Sequence, residues 1–211
     1  RERARAIEET FEQMVRTAGV EAKCRVAGTS ARTAQDLFSH CADLIVSSQP
    51  YVGSADLAAP AVPKDVLLTA GVPMLIVPTA WKVENSIVRR ILLAWNFSRE
   101  STRALHDSMP MLAKAGSVAL FVFAADFDPR STAVLDVVAH LERHDVKVTV
   151  DGWRDTKQSD AIDAMFACLE REKSDLIVAG AYGHSPLRES LFGSVSEQLL
   201  DNISMPVLMS H

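Results

Sequence analysis

The residues best suited to chemistry in this 211-residue chain lie in one stretch, 174–200, SDLIVAGAYGHSPLRESLFGSVSEQLL. An apolar run ends at Gly180; Gly183 and Gly193 follow, with Ser194 directly after. Glycine lacks Cβ, so the backbone can turn tightly and come close to a ligand. A helix opening at Gly193-Ser194 presents unpaired N–H groups and the positive end of its dipole, a setting that suits phosphate. Ser194 and Ser196 add hydroxyl donors. The same glycines also suit a plain turn and a helix cap. The spacing is neither G-x-x-x-x-G-K-[ST] nor G-x-G-x-x-G after a first strand, so it is neither a P-loop nor a dinucleotide fingerprint.

Other chemistry-bearing residues are sparser. His184 and Arg188 lie between the glycines, and Arg188 has the reach for a γ-phosphate, although a solvated loop arginine is the plainer expectation. His140 and His144 are four apart on a helical pattern and share a face; with no third ligand in sequence, a solvated face is favoured over a metal site. Asp107 and Asp128 have no spacing that suggests an acid–base pair, and no nucleophile sits beside a base. No catalytic residue and no metal ligand is assigned. Cys24, Cys41 and Cys168 show no C-x-x-C spacing, which reads as reduced, buried thiols in a cytoplasmic protein.

Charge and length bound the partners. Lys and Arg number 22 against 27 Asp and Glu, a net charge of −5. Without a basic cluster, nucleic acid is not expected as a partner. No apolar run is long enough to span a membrane. The opening RERARAIEETFEQMVRTAG is a charged amphipathic helix pattern rather than a signal peptide.

The elements that must hold the glycine stretch repeat along the chain. ADLIVSS (42–48) resembles SDLIVAG (174–180), GVPMLIVP (71–78) resembles SMPVLMSH (204–211), and VEAKCRVAG (20–28) resembles HDVKVTVDG (144–152). Three pairs in the same order point to one unit occurring twice. The second unit, 83–211, reads in full. Strands are expected at 89–95, 117–124, 146–152, 175–181 and 205–210. Helices are expected at 98–116, 131–144, 159–173 and 194–204. Ser98 is an N-cap, Gly116 a C-cap, and Pro110 predicts a kink or break. Alternation with apolar strands means a doubly wound α/β domain with a parallel sheet. The first unit, 1–82, is expected to be incomplete, since it begins at its second helix. After ADLIVSS comes QPYVGSADLAAPAVPKD, with Gly53 alone and Pro50, Pro60 and Pro63. That stretch lacks a phosphate cradle, so one ligand site per chain is expected, in the second unit. The two last strands, 72–78 and 205–210, are expected to pair, either as a pseudo-dimer inside the chain or between two copies.

GAYGHSPLRESLFGS fits the motif G-x2-G-x9-G-[ST] of the universal stress protein family at Gly180, Gly183, Gly193 and Ser194. ILLAWNFSRESTRALHDSMPML (91–112) is similar to that family's opening strand and helix. The chain therefore resembles a tandem universal stress protein with a degenerate first unit. The resemblance implies the adenine nucleotide alpha hydrolase-like fold, five parallel strands in the order 3-2-1-4-5, and in many members bound ATP, with Mg²⁺ as a further expectation. It implies that Gly183, Gly193 and Ser194, with Val195 next to them and His184 and Arg188 in the loop, meet the phosphates, while Gly180 lets the chain pass the ribose. Ala94, Trp95 and Asn96 would flank adenine and ribose, and Val122 or Phe123 would supply the apolar base contact. Asn96 stands where ATP-binding members carry Asp. Its carbonyl can accept from a ribose hydroxyl, but without charge the bond is weaker and help with a metal is reduced; a strand-end turn is the alternative role. The functional expectation is a stress-response ATP-binding module or switch. The alternatives are a nucleotide-free interaction protein and a weak ATP-hydrolysing or adenylyl-transfer enzyme.

Overall fold

A computed structural model describes residues 2–24, 41–49, 63–78, 80–82, 88–124, 126–153, 158–181, 199–200 and 203–211. Helix α1 spans Glu2–Ala18; strand β1 (Ile45–Ser48), helix α2 (Pro63–Thr69) and strand β2 (Met74–Val77) complete the first half. The second half runs β3 (Arg90–Trp95), α3 (Arg99–Leu112), β4 (Ser117–Phe123), α4 (Thr132–Glu142), β5 (Val148–Trp153), α5 (Gln158–Glu172), β6 (Leu176–Gly180) and β7 (Val207–Ser210). The helix expected at 194–204 falls mostly outside the described residues.

One seven-stranded sheet joins both halves in the order β1-β2-β7-β6-β3-β4-β5. Every neighbouring pair is parallel except β2 and β7. From β5 to β7 the strands lie third, second, first, fourth, fifth in chain order.

Apolar alternation along β3 divides the core. Leu92 and Ala94 face one side, with Phe121, Met165, Cys168 and Ile177, against α5. Ile91, Leu93 and Trp95 face the other, with Ala104, Leu105, Leu120 and Leu141, against α3 and α4. Both faces of the central strands are covered, which is why they read as continuous apolar runs. Each fully buried Leu, Ile or Val contributes about 1.5–3 kcal/mol through burial.

The two halves share their hydrogen bonding as well as their sequence pattern. Ile45 N donates to Pro73 O at 3.0 Å, and Ile177 N donates to Pro206 O at 3.1 Å. Gln49 N donates to Val77 O at 2.8 Å, and Ala181 N donates to Ser210 O at 2.8 Å. Thus β1 and β2 stand to each other as β6 and β7 do. The antiparallel seam pairs Met74 with Met209, Leu75 with Leu208 and Ile76 with Val207. The last strands therefore pair within the chain, and both edges of β7 are occupied, by β6 and β2. The third pair of similar segments is only partly described, since residues 25–28 of its first member lie outside the described residues. Residues 144–152 lead into β5, but Val20–Cys24 form no strand, and no described strand lies beside them to supply ladder hydrogen bonds.

Two expectations need correction. Gly116 is not the cap of α3: the helix ends at Leu112 and Ala113 caps it in a right-handed conformation. Pro110 sits in the last turn, where its missing N–H leaves the His106 carbonyl without a helical donor, so the helix ends two residues later. Gly116 instead lies against the chain before β3; its N–H donates to Arg89 O at 2.8 Å, and a Cβ there would come within 3.1 Å of that oxygen.

Candidate functional site

After β3 the chain goes on to β4 and β5 on one side, while β6 and β7 lie on the other. The order reverses between β3 and β6, and beyond their carboxyl ends lies the crevice where doubly wound sheets bind ligands. Ala94 is in register with Phe121 of β4 and Ala179 of β6, and Trp95 with Val122. Small Ala94 and Ala179, with Ala181 just beyond, leave the sheet end low on the α5 side.

Asn96 follows β3 and forms a turn. Its Oδ1 accepts from Ser98 N at 3.2 Å and from Ser98 Oγ at 2.6 Å. Ser98 in turn caps α3, its Oγ accepting from Ser101 N at 3.1 Å. The turn forces Phe97 into the left-handed region at φ 61°, which a bulky side chain rarely adopts. The Phe97 ring meets Trp95 edge-on at 6.0 Å. The strand-end turn role of Asn96 is thus the one its contacts display.

Gly180 ends β6 against the first turn of α3. A Cβ there would lie 2.5 Å from Glu100 C and 2.5 Å from Ser101 N, so only glycine fits. Glu100 itself is almost buried beside this approach, its carboxylate 3.7 Å from Arg99 Nε. Phe97 and Glu100 escaped the sequence reading. The signal for Glu100 was slight: an acid in the first turn of a Ser-capped helix, which ordinarily points to solvent.

Of the expected site residues, Ala94, Trp95, Asn96, Val122, Phe123 and Gly180 lie at the carboxyl ends of β3, β4 and β6. Val122 and Phe123 face opposite sides of the sheet; Val122 packs under α3 and α4, and Phe123 meets Phe121 edge-on at 5.0 Å. Trp95 is buried, and its Nε1 has no hydrogen-bond partner among the described residues. Gly183, His184, Arg188, Gly193, Ser194 and Val195 lie outside the described residues. Their approach is fixed by Ala181, whose N–H donates to Ser210 O and whose carbonyl lies 3.0 Å from His211 Nδ1. His140 lies in the last turn of α4, against His106 of α3, and His144 just beyond that helix; the described residues contain no group of three His, Cys, Asp or Glu that could hold a metal.

Comparison with known proteins places the glycine-bearing segment. The model of the universal stress protein family matches residues 155–211, from the approach to α5 through β7. This segment is similar to the universal stress protein family. No curated protein matches the chain. Among solved structures, a universal stress protein from Archaeoglobus fulgidus DSM 4304 superposes with a TM-score of 0.72 at 22% identity, over 99% of this chain and 78% of its own. A putative universal stress protein from Pseudomonas aeruginosa UCBPP-PA14 gives 0.56 at 13% identity, over 97% and 77%. A protein of unknown function from Pseudomonas aeruginosa PAO1 gives 0.58 at 13% identity, over 97% and 76%. These likenesses show the shared α/β fold with its mostly parallel sheet. No described helix is long and apolar enough to cross a membrane.

Proposed function

We propose that this chain is a cytoplasmic stress-response protein that binds one adenine nucleotide, ATP, in the crevice beyond β3 and β6, as a module or switch rather than a dedicated catalyst. The observation that carries the reading is the coincidence of three things at one place. The strand order reverses there, β6 ends there at Gly180, three residues before Gly183 in the sequence, and the universal stress protein match covers the Gly183–Gly193–Ser194 motif. Gly183, Gly193 and Ser194 hold the phosphates through backbone N–H groups and the hydroxyl. Ala94 and Asn96 border the base and ribose. Gly180 has a second task, letting α3 close onto β6. The first half, without the glycines, is a structural partner through β2.

A second reading, a nucleotide-free interaction protein, draws support from Asn96 and Glu100. Asn96 Oδ1 already serves Ser98, so a ribose hydroxyl must share it. Glu100 places a nearly buried carboxylate on the crevice wall, which repels phosphate brought close. The deciding experiment denatures the purified protein, looks for released ATP by mass spectrometry, and titrates the protein with Mg²⁺-ATP by calorimetry. Released or titrated nucleotide, lost in Gly193→Val, supports the first reading. No release and no heat of binding establish the second.

A further inference from the structure

Three imidazoles, one of them distant in sequence from the other two, stack across the seam between α3 and α4. His106 stands on α3, His140 in the last turn of α4, and His144 just beyond it. The His140 ring centroid lies 5.1 Å from that of His106, at 72°, and 5.1 Å from that of His144, at 63°. The rings meet edge to face, so their nitrogens do not converge as metal ligands must. His140 is the half-buried middle member, and its Nε2 is enclosed without a hydrogen-bond partner among the described residues.

Among the described residues, the groups acting on His140 are His106 from α3 and Arg143 and His144 from the end of α4, none of them an anion. The sheet beneath supplies apolar Val118, Leu120, Val148 and Val150. Asp107, beside His106 on α3, is taken by Arg103 at 3.4 Å, and Asp136, one turn before His140 on α4, is exposed and forms no ion pair among the described residues.

We propose that the α3–α4 seam is an acid-labile joint, opened when His140, the middle ring of the His106–His140–His144 stack, takes up a proton. Protonation places a positive charge in the seam with Arg143 beside it, and separation of the helices returns that charge to water. Burial first, then His106, His144 and Arg143, hold the His140 pKa below its ordinary value. The unfolded or opened chain therefore binds the proton more readily. The stability of the closed seam is complete above about pH 6.5 and is lost as the pH falls through that value toward the lowered one. The inference does not depend on nucleotide binding.

The test is hydrogen exchange on the full chain without nucleotide at pH 7.5 and pH 5.5, corrected for intrinsic exchange rates. The expected result is lost protection in α4 and the second half of α3 at pH 5.5, with β3, β4 and β6 still protected. His140→Phe keeps the edge-on ring contacts and removes the titration, so its protection should be the same at both pH values. His106→Gln, an exposed change that folds even if the first does not, should weaken the response. Equal protection of the native chain at both pH values, loss spread evenly through the sheet, or an undiminished response in the variants overturns the proposal.

Discussion

At the scale of single residues, the structure separates what a side chain could do from what its neighbours leave free. Gly180 has no freedom to spare: its missing Cβ is the space into which the backbone of Glu100 and Ser101 fits. Gly180→Ala is expected to cost about 1–3 kcal/mol in urea unfolding, as overpacking does, and a neutral result would show that α3 can retreat from β6. Asn96 has an acceptor committed to Ser98, yet an aspartate would serve Ser98 as well and add a charge. Asn96→Asp is expected to tighten binding of Mg²⁺-ATP roughly threefold to tenfold, worth up to about 1.4 kcal/mol; calorimetry on both proteins reads this directly. The need for glycine at position 180 was legible because backbone needs leave a trace in residue type. The burial of Glu100 and the stacking of His106 on His140 were not, because each depends on a partner brought close only by the sheet.

Among the elements, apolar runs were the dependable guide. Expected strands at 89–95 and 117–124 and the helix at 131–144 correspond to β3, β4 and α4, because burial on both sheet faces demands such runs. Boundaries were less legible: Gly116 mimics a helix cap but serves the start of β4. On the other sheet face, α5 ties itself to β5 where Arg171 donates to Asp151 and to Cys168 Sγ. Burial, reinforced by the Asp151 charge and only partly offset by Arg171, pushes the Cys168 thiol up to about 11. Cys41 is exposed and Cys24 half-buried. Iodoacetamide at pH 8 is therefore expected to label Cys41 first and Cys168 only in denaturant, because the thiolate is the reactive form. Rapid labelling of native Cys168, read by peptide mass spectrometry, would contradict this placement.

For the molecule as a whole, the repeat makes its own control. Val46 of β1 and Val178 of β6 occupy matching places, yet Val46 is 63% exposed and Val178 is wholly buried between β3 and β7. Val178→Thr is expected to cost about 1–3 kcal/mol by enclosing an unpaired hydroxyl. Val46→Thr is expected to stay within about 0.5 kcal/mol, as exposed changes usually do. Paired urea denaturations check both, and equal costs would mean that β1 is covered as β6 is. The repeated sequence foretold the pairing of the last strands, while its sense, antiparallel, came only from the structure.

That sense carries a consequence for geography. A strand pair that reverses direction at Leu75 and Leu208 turns the carboxyl ends of β1 and β2 toward the margin of the sheet opposite the one that holds the carboxyl ends of β3 to β7. Ser48 at the end of β1 and Gly180 at the end of β6 therefore lie at opposite rims of the sheet. The halves are tied beside this seam as well, where Arg103 Nη2 donates to Gly71 O at 2.6 Å and Gln49 Nε2 donates to Leu200 O at 2.7 Å, so a shift in one half is felt by the other on both sides of β2 and β7.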